Sequence, residues 1–156
     1  MNDTVRFVAK GSAHVTVPTQ AEPISVSFML LPKFTMLAFS SAIEPLRMAN
    51  QLTGQVLFRW QVLSDDGGPV VCSNGVPVRV DGAWADTKPE GMILVVSGVE
   101  PEGKASVALG DWLRGLWRRG RVVGGLCTGA YALAAAGILK GHRFTMHWDN
   151  IAAFAE

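Results

Sequence analysis

The sequence predicts an α/β domain built on a mostly parallel sheet with helices on both faces. Two observations carry that expectation. Apolar runs of strand length alternate with helix-length stretches in the order β-α-β-β-β-α-β-α-β-α. In addition, the stretch Arg121–Gly137 passes from a short β-branched run into an alanine-rich segment through Gly125-Leu-Cys127-Thr-Gly129, so a cysteine stands at a strand-to-helix turn. That is the pattern of a nucleophile elbow with Cys in the place of the more familiar Ser. The flanking glycines let the chain bend sharply, and the new helix aims its free N–H groups at the sulfur. The plain structural alternative is a small buried residue in an ordinary α/β turn.

The elements follow in order. Residues 1–22 mix polar residues, Pro and Gly and read as a loose, partly disordered leader; residues 23–156 read as one globular unit. Ile24–Leu31 is a buried strand, Pro32–Phe34 a turn, and Thr35 an N-cap for a helix over Met36–Leu52 that Gly54 ends. Pro45 implies a kink in that helix or a start nearer Ser41. Phe58–Ser64 alternates as a strand, Asp65–Gly68 turns, and Pro69–Ser73 and Val76–Val80 flank the Asn74-Gly75 turn in β conformation. The segment from Asp81 to Glu90 is a loop or short helix, and Gly91–Val96 a central strand. Leu109, Trp112, Leu113, Leu116 and Trp117 mark one face of a helix over residues 104–119, closed by Gly120. The elbow strand comes next, then a helix as far as Leu139, a short strand over Arg143–Met146, and a last helix beginning near Asp149.

Composition narrows the classes. At 156 residues and 49% hydrophobic content the chain can bury one substantial core. A formal net charge of +1 gives no footprint for a nucleic acid or a membrane surface, and the local group Arg114, Arg118, Arg119 and Arg121 reads as a solvated helix face. Cys72 and Cys127 lie in unlike contexts, which argues against a disulfide and for a reducing, cytoplasmic setting. No signal peptide is visible, and the apolar runs fall far short of a membrane span. The two cysteines and three histidines show no metal-ligand spacing, and no cofactor is expected.

In parallel α/β sheets ligands sit beyond the carboxyl ends of the strands. Pro32–Ala38, Ser97-Gly98-Val99 and Cys127-Thr128 therefore converge on one crevice, and His147-Trp148 should join them.

The strings Phe28-Met-Leu-Leu-Pro-Lys-Phe-Thr-Met-Leu-Ala-Phe39, Ala42-Ile-Glu-Pro-Leu-Arg-Met-Ala-Asn50, Leu63-Ser-Asp-Asp-Gly-Gly68, Ser73-Asn-Gly75, Gly124-Gly-Leu-Cys-Thr-Gly-Ala130 and Thr145-Met-His-Trp148 together resemble the N-terminal domain of GlxA-type AraC-family transcriptional regulators. That domain is a PfpI-like branch of the class I glutamine amidotransferase-like superfamily. The resemblance runs from about Pro23 onward and is nearest to regulators of amino-acid and quaternary-amine catabolism. It implies a flavodoxin-like sandwich, a homodimer, a small-molecule effector near the elbow, and a C-terminal pair of helix-turn-helix motifs that binds DNA. By the same resemblance, the DNA-binding half and the last strand and helix of the sensor domain fall outside these 156 residues, which would leave an apolar sheet edge uncovered.

Enzymatic relatives of that branch, such as isonitrile hydratases, set an acid against the elbow cysteine just after the first strand. The matching position here is Ala38, with Glu44 a turn or two further on as the candidate acid. The PfpI-like hydrolases also place His directly after the cysteine, where this chain has Thr128. A working thiol needs a base within hydrogen-bond reach. His147 is the candidate base and Cys127 the candidate nucleophile; His147 serves equally as a hydrogen-bonded residue at the helix start.

The expectation is thus a sensor that keeps the elbow scaffold and has lost the reaction. Its ligand would lie over Cys127 among Thr128, Gly98, Val99, His147, Trp148 and Phe34, with the N–H groups of Gly98 and Thr128 receiving an anionic group. Trp148, Phe34 or Trp84 would wall any quaternary ammonium. The rival is a cysteine-dependent hydrolase, an isonitrile hydratase-like or a glyoxalase-like enzyme.

Overall fold

A computed structural model describes residues 6–9, 11, 13–19 and 22–154 of the chain. Five strands form one parallel sheet in the order β5-β2-β1-β6-β7, with β1 Ile24–Leu30, β2 Phe58–Ser64, β5 Gly82–Ala83, β6 Met92–Val96 and β7 Val122–Leu126. All the pairings are parallel, including Phe28 with Val62 and Leu94, and Leu94 with Gly124. β3 (Val70–Val71) and β4 (Pro77–Val78) make a separate antiparallel hairpin about the Asn74-Gly75 turn. The helices are α1 Met36–Thr53, α2 Val107–Arg118, α3 Ala130–Ala135 and α4 Ile151–Phe154.

The sheet is buried on both sides because successive β1 side chains point to opposite faces. Val26, Phe28 and Leu30 pack with Phe34, Phe39 and Val96 on one face. Met29 and Leu31 pack with Ile93, Val95 and the inner faces of α2 and α3 on the other, through Leu109, Leu113, Leu133 and Ala136. Among the described residues no helix is long and apolar enough to cross a membrane.

Several expectations are corrected. α1 runs from Met36 with Pro45 inside it, so it does not start near Ser41. Pro45 is exposed, and the Ser41 carbonyl that it leaves unbonded is on an exposed residue where water can serve it. α1 does stop at Gly54, which adopts φ 67. α3 ends near Ala136 instead of reaching Leu139, because Gly137 turns left-handed at φ 71. Arg143–Met146 is not a strand, since among the described residues nothing pairs with it in a ladder.

Of the segment read as a leader, residues 1–5, 10, 12, 20 and 21 lie outside the described residues. The described part is docked. Phe7 is buried edge-on against Trp60 at 4.7 Å, Arg6 pairs with Asp81 at 2.7 Å, and the Val15 N–H donates to the Leu52 carbonyl at 2.7 Å. Asn50, fully buried, ties these parts together. Its amide donates to the Phe58 carbonyl at 2.8 Å and the Phe7 carbonyl at 3.4 Å, and its carbonyl accepts from the N–H groups of Leu57 and Phe58 at 2.9 Å.

Candidate functional site

The carboxyl ends of β1, β6 and β7 open into a cleft of about 720 Å³. Thr35, Leu37 and Ala38 line it from the β1–α1 loop, Gly98, Val99 and Glu100 from the segment after β6, and Gly125 to Thr128 from the elbow. Thr145, Met146, His147, Asp149 and Asn150 close it from the segment before α4.

The elbow has the expected sharp form. Cys127 sits at φ 56, a left-handed conformation that side chains with a Cβ adopt only when the surroundings impose it. The surroundings here are close-packed backbone. A Cβ on Gly125 would lie 2.7 Å from the Gly129 carbonyl carbon, and one on Gly129 would run into Val95. The thiol is half-buried and faces the Thr35 hydroxyl at 3.6 Å. Thr35 starts α1 as expected, yet its side chain makes no cap hydrogen bond and is turned to the sulfur.

Gly98 allows the β1–α1 loop to cross over the end of β6. A Cβ there would meet the Lys33 carbonyl, the Thr35 nitrogen at 2.7 Å and the Phe34 carbonyl carbon at 2.8 Å. The crossing is fixed by a Phe34–Gly98 bridge, by the Thr35 N–H donating to the Ser97 carbonyl at 3.2 Å, and by the buried Thr128 hydroxyl donating to the Gly98 carbonyl at 2.6 Å.

Lys33 and Glu100 are the other non-glycine residues with positive φ among those described, at 59 and 52. Their side chains form an ion pair at the rim of the cleft. The Lys33 hydrogen bond, and then its charge, hold the Glu100 carboxyl below its ordinary value. His147 Nδ1 lies 3.5 Å from Asp149 Oδ2, and its ring stacks on Trp148 at 4.1 Å.

The geometry brings Cys127, Thr128, Gly98, Val99 and His147 into one cleft, with Ala38 beside them. Other predicted residues do not belong to it. Phe34 has no exposed surface and packs edge-on against Phe39 at 5.8 Å in the core. Trp148 is 74% exposed and lies outside the lining. Trp84 packs on Trp112 at 5.2 Å and donates to Asp65, away from the cleft. Glu44 is exposed and holds Arg47 at 2.7 Å, so it is no acid for the thiol. Sequence reasoning missed Thr35 as the thiol's partner and Glu100, Met146 and Asp149 as lining residues. Their roles depend on loop crossings that leave no local signal.

A parallel α/β sandwich with a strained cysteine at the strand-to-helix elbow, looking into a cleft at the carboxyl ends of the strands, defines a flavodoxin-like domain of the PfpI kind. The chain belongs to the DJ-1/PfpI family, which matches residues 25–154. It is 50% identical over 129 residues to the HTH-type transcriptional regulator CdhR of Pseudomonas aeruginosa, covering 83% of this chain and 38% of that protein. Against the HTH-type transcriptional regulator GlxA of Rhizobium meliloti it is 38% identical over 136 residues, covering 84% of this chain and 41% of that one. The chain thus spans about two fifths of the length of these curated relatives. A crystal structure of an AraC family transcriptional regulator from Pseudomonas putida superposes with a TM-score of 0.74 at 28% identity, over 85% of this chain and 71% of that one.

Proposed function

We propose that this domain is the effector-sensing and dimerisation part of an AraC-type transcriptional regulator, and that its effector is a small metabolite of the amino-acid or quaternary-amine class bound in the elbow cleft. DNA would be bound by a separate helix-turn-helix domain, and effector binding would shift the arrangement that the dimer presents to it. The observation that carries the sensing reading is the cleft itself. It is large enough for a small metabolite and open above Cys127, Glu44 is turned to Arg47, and by the resemblance Ala38, which lines the cleft, takes the position of the acid in enzymatic relatives.

The test is a thermal-shift screen of amino acids, betaines and polyamines on the full-length protein. A stabilising ligand is expected whose effect survives Cys127→Ser and is lost in Ala38→Trp, which crowds the cleft on its β1–α1 side. Stabilisation untouched by Ala38→Trp would place the effector elsewhere.

One observation favours a second reading, a cysteine-dependent hydrolase or hydratase. The backbone strain at Cys127 is kept, with a hydroxyl at 3.6 Å and His147 in the same cleft. Turnover of an isonitrile or ester substrate, abolished by Cys127→Ala, would establish that reading over the sensor.

A further inference from the structure

The charges around the cleft are unevenly placed. Among the described residues no lysine or arginine lines it, and its carboxylates are Glu100 and Asp149. Asp149 already faces the imidazole of His147. Glu100 makes its ion pair with the ammonium of Lys33, which reaches it from the neighbouring β1–α1 loop without itself lining the cleft, and it also feels the charge of Lys104, whose ammonium donates to the Val99 carbonyl.

The two partners are held rigidly at the backbone and loosely at their tips. Both residues are left-handed, a conformation that persists only where packing enforces it, and here the Gly98 crossing joins their loops. The Lys33 N–H donates to the Val71 carbonyl at 2.9 Å, which anchors that loop from the other side. The side chains are 50% and 69% exposed, so water competes for both and the pair is weak. An exposed carboxylate carried on a constrained backbone at the rim of a cleft, with a partner that is easily displaced, is suited to exchanging one cation for another.

We propose that Glu100 is the specificity-determining residue of the cleft: its carboxylate reads a cationic group on the ligand, which takes the place of Lys33. This rests on the cleft being the effector site. The ligand class is therefore one carrying a permanent or protonated ammonium, and the lysine sets a threshold that an uncharged or purely anionic molecule does not cross.

The probes are tetramethylammonium and trimethylglycine, with acetate as the anionic comparison, titrated into the full-length protein by calorimetry. Glu100→Gln is expected to weaken both ammonium-bearing probes, the tetramethylammonium cation and the trimethylglycine zwitterion, about tenfold and to leave acetate unchanged. Lys33→Met removes the competitor and is expected to tighten them roughly threefold to tenfold, an effect that disappears in the Glu100→Gln background. Lys88→Met makes the same charge change on a loop before β6, away from the cleft, and is expected to do nothing. All variants should keep the wild-type denaturation midpoint, since both side chains of the pair are exposed.

Cationic binding that Ala38→Trp blocks but Glu100→Gln and Lys33→Met do not alter would overturn the exchange while leaving the cleft as the effector site. Equal tightening by Lys33→Met and Lys88→Met would also overturn it, as a long-range charge effect. Binding that Ala38→Trp leaves intact would overturn both readings.

Discussion

Gly98→Ala tests whether the cleft depends on the close crossing of two backbones. The added methyl would sit 2.7 Å from the Thr35 nitrogen and 2.8 Å from the Phe34 carbonyl carbon, and still nearer the Lys33 carbonyl. These are backbone atoms and cannot swing aside, so the β1–α1 loop must lift. Overpacking of this kind costs about 1–3 kcal/mol. Losing the hydrogen bond from the Thr35 N–H to the Ser97 carbonyl adds about 1 kcal/mol. A total of roughly 2–4 kcal/mol should lower the urea midpoint by about 1–2 M.

The loop also carries Thr35 away from the thiol, so alkylation of Cys127 should change in rate and effector binding should fall. Gly54→Ala is the control. Gly54 has φ 67, and a Cβ there meets only the His14 ring at 3.8 Å, so the penalty is conformational, about 1 kcal/mol. A Gly98→Ala protein no less stable than Gly54→Ala, with Cys127 reacting at the wild-type rate, would refute the argument that steric approach at Gly98 shapes the site.

Other outcomes follow from the same geometry. Asn50→Ala strips partners from buried backbone groups of Leu57, Phe58 and Phe7 and should destabilise the protein by roughly 2–5 kcal/mol by chemical denaturation. Phe34→Ala should cost about 3–5 kcal/mol, because the ring is part of the core; a loss of ligand affinity with unchanged stability would contradict that placement. Glu44→Gln should shift stability by less than about 0.5 kcal/mol and leave Cys127 alkylation unchanged, since its partner is Arg47 on the same exposed helix face.

The architecture was legible from residue order because parallel strands buried on both faces are continuous apolar runs, and because a glycine past a helix marks its end. Met92–Val96 and the Phe28–Leu30 end of the first strand carry the first signal and Gly54 the second, while Phe58–Ser64 was legible from its alternation. The elbow was equally local: glycine two before and two after Cys127 is what a strained strand-to-helix turn needs. The short run Arg143–Met146 misled because β character in a sequence does not supply a neighbouring strand to pair with.

Position along the chain could place Phe34, Trp148 and Glu44 near the crevice but could not say which way each side chain points. Phe34 follows a strand end that turns its ring inward, Trp148 lies on the outer side of a helical turn, and Glu44 is drawn to Arg47 one turn along. The sequence by itself determined the strands β1, β2, β6 and β7, the elbow and the loops that surround the cleft, all of which depend on local patterns of apolar residues and glycine, whereas the two-residue edge strand Gly82–Ala83 lies in a segment read as a loop or short helix. Only the tertiary structure decided that Thr35 meets the sulfur and that Lys33 meets Glu100, because those contacts arise where two backbones cross at Gly98, and packing between distant segments has no period to read.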